Sequence, residues 1–108
     1  MMNTEITATL SRPNSGPQLR ASIVEATRTA IARARIRRDV VREHHLIASM
    51  HELEPSEPRW VQQLGNVLRK LGRDNEAASA YRHAAQLYSS HGFAEHADAM
   101  RFAARRAA

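Results

Sequence analysis

The sequence predicts an all-α domain of about five helices that follows a flexible N-terminal arm. From Leu19 onward, long stretches lack Pro and Gly and carry apolar residues at three-to-four spacing, as amphipathic helices require. Hydrophobic residues make up 43% of the chain but aromatic residues only 5%, so that Ala, Leu, Ile, Val and Met must form the core. This mixture suits packed helices better than sheets, which favour β-branched and aromatic side chains.

Length, charge and cysteine content narrow the possible functions. A chain of 108 residues holds one compact domain and leaves little room for a large enclosed active site. The net charge of +5 indicates an acidic partner, although codon bias explains the arginine excess equally well. The lack of cysteine excludes disulfides, cysteine-ligated zinc and thiol catalysis. No long apolar run or secretion signal is evident, which predicts a cytoplasmic protein without membrane contact.

Residues 1–18 form the predicted flexible arm. They include two prolines, a glycine and many Ser, Thr and Asn residues, and little that a core would bury. Ile6, Ala8 and Leu10 alternate with polar residues at the period of a β-strand. A short strand that docks on a partner is therefore the alternative to a disordered tail.

Helix-breaking and capping residues divide the first half of the remaining chain. The first helix is predicted from about Leu19 to Arg37, and the second begins near Asp39 and stops before Pro55. The predicted buried positions are Ile23, Val24, Thr27, Ala30, Ile31 and Ala34 in the first helix and Val40, Val41, Leu46, Ile47 and Met50 in the second.

The second half contains three further predicted helices. Ser56 and Pro58 start the third, and Gly72 ends it because glycine readily adopts the left-handed backbone conformation found after helix ends. Asp74 or Asn75 is expected to cap the fourth. The third helix carries the apolar positions Trp60, Val61, Leu64, Val67, Leu68 and Leu71, and the fourth is predicted to bury Ala77, Ala80, Tyr81, Ala84, Leu87 and Tyr88. The last helix runs through Phe93, Ala97, Met100 and Phe102.

An internal repeat becomes visible when the chain is shifted by about 34 residues. The shift places Ile31 over Gly65, Ile47 over Tyr81 and Met50 over Ala84. The segment WVQQLGNVLRKLGRDNEAASAYRHAAQLY, with its Leu-Gly pair, its turn glycine and its spaced Ala and Tyr residues, resembles a near-consensus tetratricopeptide repeat. Residues 24–57 resemble a degenerate repeat, residues 58–91 the near-consensus one, and residues 92–108 a capping half-repeat.

The resemblance implies antiparallel helix pairs stacked as a short right-handed solenoid. In such a unit Gly65 and Ala77 allow the two helices to cross closely, and Tyr81 fills the space between units. Trp60 lies one residue before the usual aromatic position and is expected to be displaced toward a neighbour or the surface. In the degenerate repeat, Glu43 replaces the small residue at the crossing and Arg38 replaces the turn glycine.

The resemblance also implies a concave groove lined by the first helix of each pair, in which extended or helical peptides bind. Its predicted peptide-binding residues are Arg28, Arg35, Arg59, Gln62, Asn66, Arg69, Lys70 and His96. Further lining positions are Glu25, Thr29, Ala32, Gln63, Phe93 and Met100. Arginine and amide groups suit an acidic peptide or helix, so the expected function is that of an adaptor, scaffold or small chaperone subunit. An ordinary solvated face is the alternative.

Two other function classes stay open. Apolar Phe93, Met100 and Phe102 near the end of the chain are compatible with a homo-oligomeric scaffold. A basic nucleic-acid-binding protein is the third possibility, although its arginines are spread around the helix and lack interleaved aromatics. These arginines are Arg28, Arg33, Arg35, Arg37, Arg38 and Arg42.

Enzymatic motifs and metal-ligand spacings are not found in the sequence. The six histidines include no pair at helical ligand spacing, since His44 and His45 are adjacent and His91 and His96 lie five apart. There is no phosphate-binding loop, dinucleotide-binding glycine pattern or nucleophile elbow. We therefore expect no catalytic residues, no cofactor and no metal.

Overall fold

The computed structural model describes residues 15–108, which form five α-helices and no strand. They are α1 (Ser15–Ile36), α2 (Val40–Leu53), α3 (Pro58–Lys70), α4 (Asp74–Ser90) and α5 (Ala94–Ala107). The prediction of an all-helical domain is therefore confirmed for this part of the chain. The first helix begins at Ser15 rather than Leu19, so residues 15–18 of the predicted arm belong to α1. The rest of the arm, with its candidate strand, lies outside the described residues.

Three of the four turns share one backbone conformation. Arg38, Gly72 and Gly92 have positive φ angles of 57°, 76° and 82°. After each of them an amide donates to the carbonyl five positions back, at 2.8–2.9 Å, in the pairs Asp39–Ala34, Arg73–Leu68 and Phe93–Tyr88. This is a common way to satisfy the free carbonyls of a helix end. The predicted role of Gly72 is confirmed, and Arg38 adopts the same conformation without being glycine.

The helix starts differ from the predicted caps at two places. Asp39 caps α2 as expected, because its Oδ1 accepts from the backbone amide of Arg42 at 3.1 Å. Pro58 occupies the first turn of α3, but the capping position belongs to Glu57 rather than Ser56. Likewise Arg73 occupies the capping position of α4, while Asp74 is already helical. In both cases the cap side chain accepts no hydrogen bond from a backbone amide of the helix.

Short turns make each helix pack on the next one in the chain. The side chains bury two apolar clusters, and α3 contributes to both, with Leu64 in contact with each. The first cluster joins α1, α2 and α3 through Ile31, Ile47, Met50, Trp60 and Val67. The second joins α3, α4 and α5 through Val61, Leu68, Ala77, Ala78, Ala80, Tyr81, Ala84, Ala85, Tyr88, Ala97, Met100, Ala104 and Ala107. The α3 helix is thus the common wall of the two cores.

The close crossing predicted for Gly65 is confirmed. A Cβ atom on Gly65 would lie 2.7 Å from Cε1 of Tyr81, closer than side chains pack. Ala77 is fully buried in the same core. At the corresponding positions of the first helix pair, Ile31 and Ile47 are both buried. The first helix pair thus has two isoleucine side chains where the second pair has a glycine against a tyrosine.

Two predicted core positions are wrong. Ile23 is 52% exposed and Val41 57% exposed. The 22 residues of α1 span about 33 Å and the 14 of α2 only about 21 Å, so α2 leaves the N-terminal part of α1 uncovered. Val41 follows the half-buried Val40, and adjacent helical residues point in different directions.

Two further large side chains, for which a surface or groove position was among the expectations, are buried. Trp60 is only 3% exposed and packs between α1 and α2, so it is displaced toward neighbouring helices and not toward the surface. Met100, predicted as a groove-lining residue, is buried in the core that joins α3, α4 and α5.

Candidate functional site

A buried carboxylate organises the side chains between α1, α2 and α3. Glu43, on α2, is only 3% exposed. Its Oε2 accepts from Nε of Arg35 at 2.8 Å, and Nζ of Lys70 lies 3.2 and 3.3 Å from its two oxygens. Arg35 also donates through Nη2 to Oε1 of Gln63 at 3.0 Å. Three helices are therefore tied together by a single charged network.

The electrostatics of this network favour the ionised carboxylate. Burial opposes ionisation of Glu43, but the hydrogen bonds and positive charges of Arg35 and Lys70 outweigh it, so that the pKa of the carboxyl lies below its ordinary value. The side chains of Arg35 and Lys70 are each about half exposed. Arg35 and Lys70 therefore stabilise the helix packing through Glu43 and are also accessible at the surface.

Trp60, at the N-terminal end of α3, makes two polar contacts with other parts of the chain. The guanidinium of Arg28 lies over the indole ring, 5.4 Å from its centroid, which is within the range of a cation–π interaction. The indole Nε1 donates to Oε1 of Glu54 at 2.7 Å. This arrangement fixes the position of Arg28 on α1 relative to α3.

Two amides of α3 are held by tyrosines of α4. The Tyr81 hydroxyl donates to Oδ1 of Asn66, and the Tyr88 hydroxyl donates to Oε1 of Gln62, both at 2.6 Å. Burial, together with the Glu57 carboxylate, raises the pKa of Tyr88, so its hydroxyl stays protonated and can donate. Gln62 and Asn66 are therefore oriented by the core behind them.

An aromatic cleft lies beside the N-terminal end of α3. It has a volume of about 370 Å³ and lies between residues 57–59, the end of α4 and the start of α5. The ring centroid of Tyr88 is 5.0 Å from that of His96 and 6.3 Å from that of Phe93. Arg59 lies at its edge and forms an ion pair with Glu57. We refer to this feature below as the aromatic cleft.

The predicted binding residues fall into two groups. Arg35 and Lys70 meet at Glu43, and the exposed Arg28 lies over Trp60, a residue of the core that α1, α2 and α3 share. Arg59, Gln62 and His96 gather around Tyr88 and the aromatic cleft. Asn66 belongs to neither group and accepts a hydrogen bond from Tyr81. Arg69 is exposed, and its side chain has no hydrogen bond or ion pair to the part of the chain that the structure describes.

Sequence reasoning missed two residues that organise this site. Glu43 was interpreted as a departure from the repeat pattern, whereas it pairs with two of the predicted groove cations. Its position, one repeat before the buried Ala77, was a signal that it would be buried and would need positive partners. Tyr88 was interpreted as a core residue only, and no pattern in the sequence indicates its contacts with Gln62 and His96.

The histidines form no metal-binding cluster in residues 15–108, where no group of three or more His, Asp or Glu side chains is placed to hold an ion. His51 and His83 lie edge to face, with ring centroids 5.6 Å apart. Burial and the neighbouring His83 lower the pKa of His51. Within the same residues, no helix combines the length and the apolar character that crossing a membrane requires.

Comparison of the chain with models of protein families, with curated proteins and with solved structures finds no match. The functional argument therefore depends on the fold and on the geometry described above.

Proposed function

We propose that this chain is a tetratricopeptide-like module that binds an acidic segment of another polypeptide and has no catalytic activity. In this proposal the helix pairs α1–α2 and α3–α4 are two stacked units of a right-handed solenoid, and α5 caps the second unit. The partner lies across α1, α3 and the start of α5.

Equivalent features of the two helix pairs support the solenoid. Arg38 and Gly72 have the same left-handed conformation and are followed by the same hydrogen bond. Gly65 against Tyr81 corresponds to Ile31 against Ile47, and each combination is buried where its two helices meet. Two segments that resemble each other in sequence therefore also end and pack alike.

The observation that carries the proposed function is the orientation of surface amides by the core. Gln62, Gln63 and Asn66 all lie on α3, and each accepts a hydrogen bond from another helix. Amides that are ordered before a partner arrives lose less conformational entropy when it binds. Their nitrogen atoms donate no hydrogen bond within the described residues, so a peptide carbonyl or carboxylate can accept from them.

The charge of this face supports an acidic partner, but less strongly than the sequence indicated. Glu43 offsets one of the two charges of Arg35 and Lys70, and Glu57 offsets that of Arg59. Arg28 and Arg69 have no carboxylate partner in the part of the chain that the structure describes. They are therefore the cations that an acidic peptide is expected to contact most strongly.

The test compares two variants with the same loss of charge. The probe is a fluorescein-labelled, C-terminally amidated peptide of eight glutamates and one central phenylalanine, measured by fluorescence anisotropy at low salt. The double variant Arg28→Gln and Arg69→Gln should bind about tenfold more weakly, which corresponds to about 1.4 kcal/mol. The control is Arg105→Gln and Arg106→Gln, at the end of α5. Its affinity should stay within about twofold of the unchanged chain.

Arg35 and Lys70 are unsuitable for this test because they also hold Glu43 in the fold. A peptide that does not bind the unchanged chain contradicts the proposed function. Equal weakening in both double variants contradicts the assignment to this face, because it indicates attraction to the whole molecule rather than to α1 and α3.

A homo-oligomeric scaffold is the second candidate, and exposed apolar side chains favour it. Leu19 and Ile23 lie one turn apart on the uncovered part of α1, and both are about half exposed. Phe102 on α5 is similarly exposed, whereas Met100 is buried and contributes nothing to such a surface. Light-scattering mass decides between the candidates: a dimer that Ile23→Gln dissociates favours the scaffold, and a monomer contradicts it.

A further inference from the structure

We propose that the aromatic cleft holds one large apolar side chain of the acidic segment, with an aromatic side chain favoured over a small one. This inference rests on the proposed function and specifies the partner: an acidic segment that carries an apolar anchor residue. The cleft lies beside Gln62, which Tyr88 orients, so it continues the row of amides on α3.

The ring geometry decides what kind of group the cleft accepts. The centroids of Tyr88, Phe93 and His96 lie 5.0, 5.7 and 6.3 Å apart, at which distances the rings touch one another. A methylated ammonium group therefore has no space between them, and an aromatic cage for cations is excluded. A ligand must instead lie on the open side of the ring cluster.

That open side is apolar and already ordered. Phe93 is 52% exposed, and Tyr88 is buried beneath it with its ring perpendicular to that of Phe93. Pro58, buried at the start of α3, also lines the cleft. The volume of about 370 Å³ is at the small end of ligand pockets, which suits one side chain and its backbone rather than a cofactor.

The charged groups at the edge indicate the residues that flank the anchor. The residues that line the cleft include three basic side chains, Arg59, His91 and His96, but only one carboxylate, that of Glu57. Glu57 is already paired with Arg59. Carboxylates beside the apolar residue therefore meet more donors than acceptors, which agrees with the charge of the face formed by α1 and α3.

Two amidated peptides test the inference: the glutamate peptide with a central phenylalanine, and the same peptide with alanine in its place. The unchanged chain should bind the phenylalanine peptide about tenfold more tightly, the effect expected for burying much of one aromatic side chain. In Phe93→Ala this preference should fall to about twofold or less. Phe93 precedes α5, and its side chain makes no capping hydrogen bond, so the helix should remain intact.

The matched control is Phe102→Ala. Phe102 is a phenylalanine of similar exposure within α5, the helix that Phe93 precedes. It lies under Arg106 and does not line the cleft. This variant should keep the full preference, and circular dichroism should show equal helicity in both variants. Equal binding of the two peptides by the unchanged chain, or an equal loss of preference in Phe93→Ala and Phe102→Ala, overturns the inference. Binding of neither peptide overturns the proposed function instead.

Discussion

The aromatic ring of Tyr81 occupies the space in which residue 65 would carry a side chain. A Cβ atom at Gly65 would lie 2.7 to 3.0 Å from three atoms of the ring. The Tyr81 hydroxyl continues past this contact and bonds Asn66, the next residue along α3. The absence of one side chain thus fixes both the distance between α3 and α4 and the orientation of an amide at the proposed binding face.

Gly65→Ala should therefore destabilise the protein although alanine favours helices. The overpacking against Tyr81 should lower the free energy of unfolding by about 1–3 kcal/mol, which exceeds the gain in helix propensity. Urea unfolding followed by circular dichroism measures this change. Gly16→Ala is the control, because Gly16 lies in α1 with nothing within 4 Å of its added Cβ atom. An equal or higher stability of Gly65→Ala contradicts the close approach.

Arg38→Gly should stabilise the protein. Arg38 is the one non-glycine residue with a positive φ among the described residues, and glycine adopts this conformation without the steric cost. The expected gain in the free energy of unfolding is about 0.5–1 kcal/mol after the greater freedom of the unfolded chain is included. Arg37→Gly removes the same charge at a neighbouring position without positive φ and should be destabilising. The order of the two melting temperatures is the measurement, and the reverse order contradicts the prediction.

Glu43→Gln should make stability less sensitive to acid. The pKa of Glu43 is lowered in the folded state from the value of 4.5, so its stabilisation is complete above that value and is lost as the pH falls through the folded pKa. The variant loses the charged partner of Arg35 and Lys70 at every pH, which should cost about 1–3 kcal/mol near neutral pH. Urea midpoints measured from about pH 7 to about pH 3 should converge for the two proteins. Parallel curves would contradict this role, and exposed Glu52→Gln serves as the control.

His51 should produce a second loss of stability at a higher pH. Burial and the charge of His83 lower its pKa in the folded state from the value of 6.5. The folded protein therefore disfavours the protonated imidazole, and stability that is complete above that value decreases as the pH falls below it. His83→Gln removes the neighbouring charge, so the decrease between about pH 7.5 and about pH 5.5 should become smaller. An unchanged decrease would show that the two rings are not coupled.

Much of the fold can be predicted from local signals. Apolar spacing locates all five helices, and Gly72 marks the end of α3 because few other residues adopt its backbone angle at low cost. The close helix crossing at Gly65 also follows from the repeat pattern, whereas the contact of Gly65 with Tyr81 is a finding of the structure, since Tyr81 was expected between the units. Such features depend on a few neighbouring residues or on one helix crossing.

The binding face is less predictable, because its charges depend on contacts between distant helices. Arg35 and Lys70 were predicted as free groove cations, and the fold brings both to Glu43. Trp60 was expected to be displaced toward a neighbour or the surface, and burial between α1 and α2 decided between the two. Each of these outcomes depends on a partner that is distant in sequence.

The sequence by itself determined the helical periodicity, most helix ends and the need for a small residue at position 65, because these follow from steric and hydrogen-bonding requirements within one helix or one crossing. Only the tertiary structure decided which charges remain available, which tyrosine orients which amide and how much of α1 stays uncovered. Helix lengths and helix packing determine these contacts. The residue pattern of one helix does not indicate which side chains of the opposing helix will lie against it.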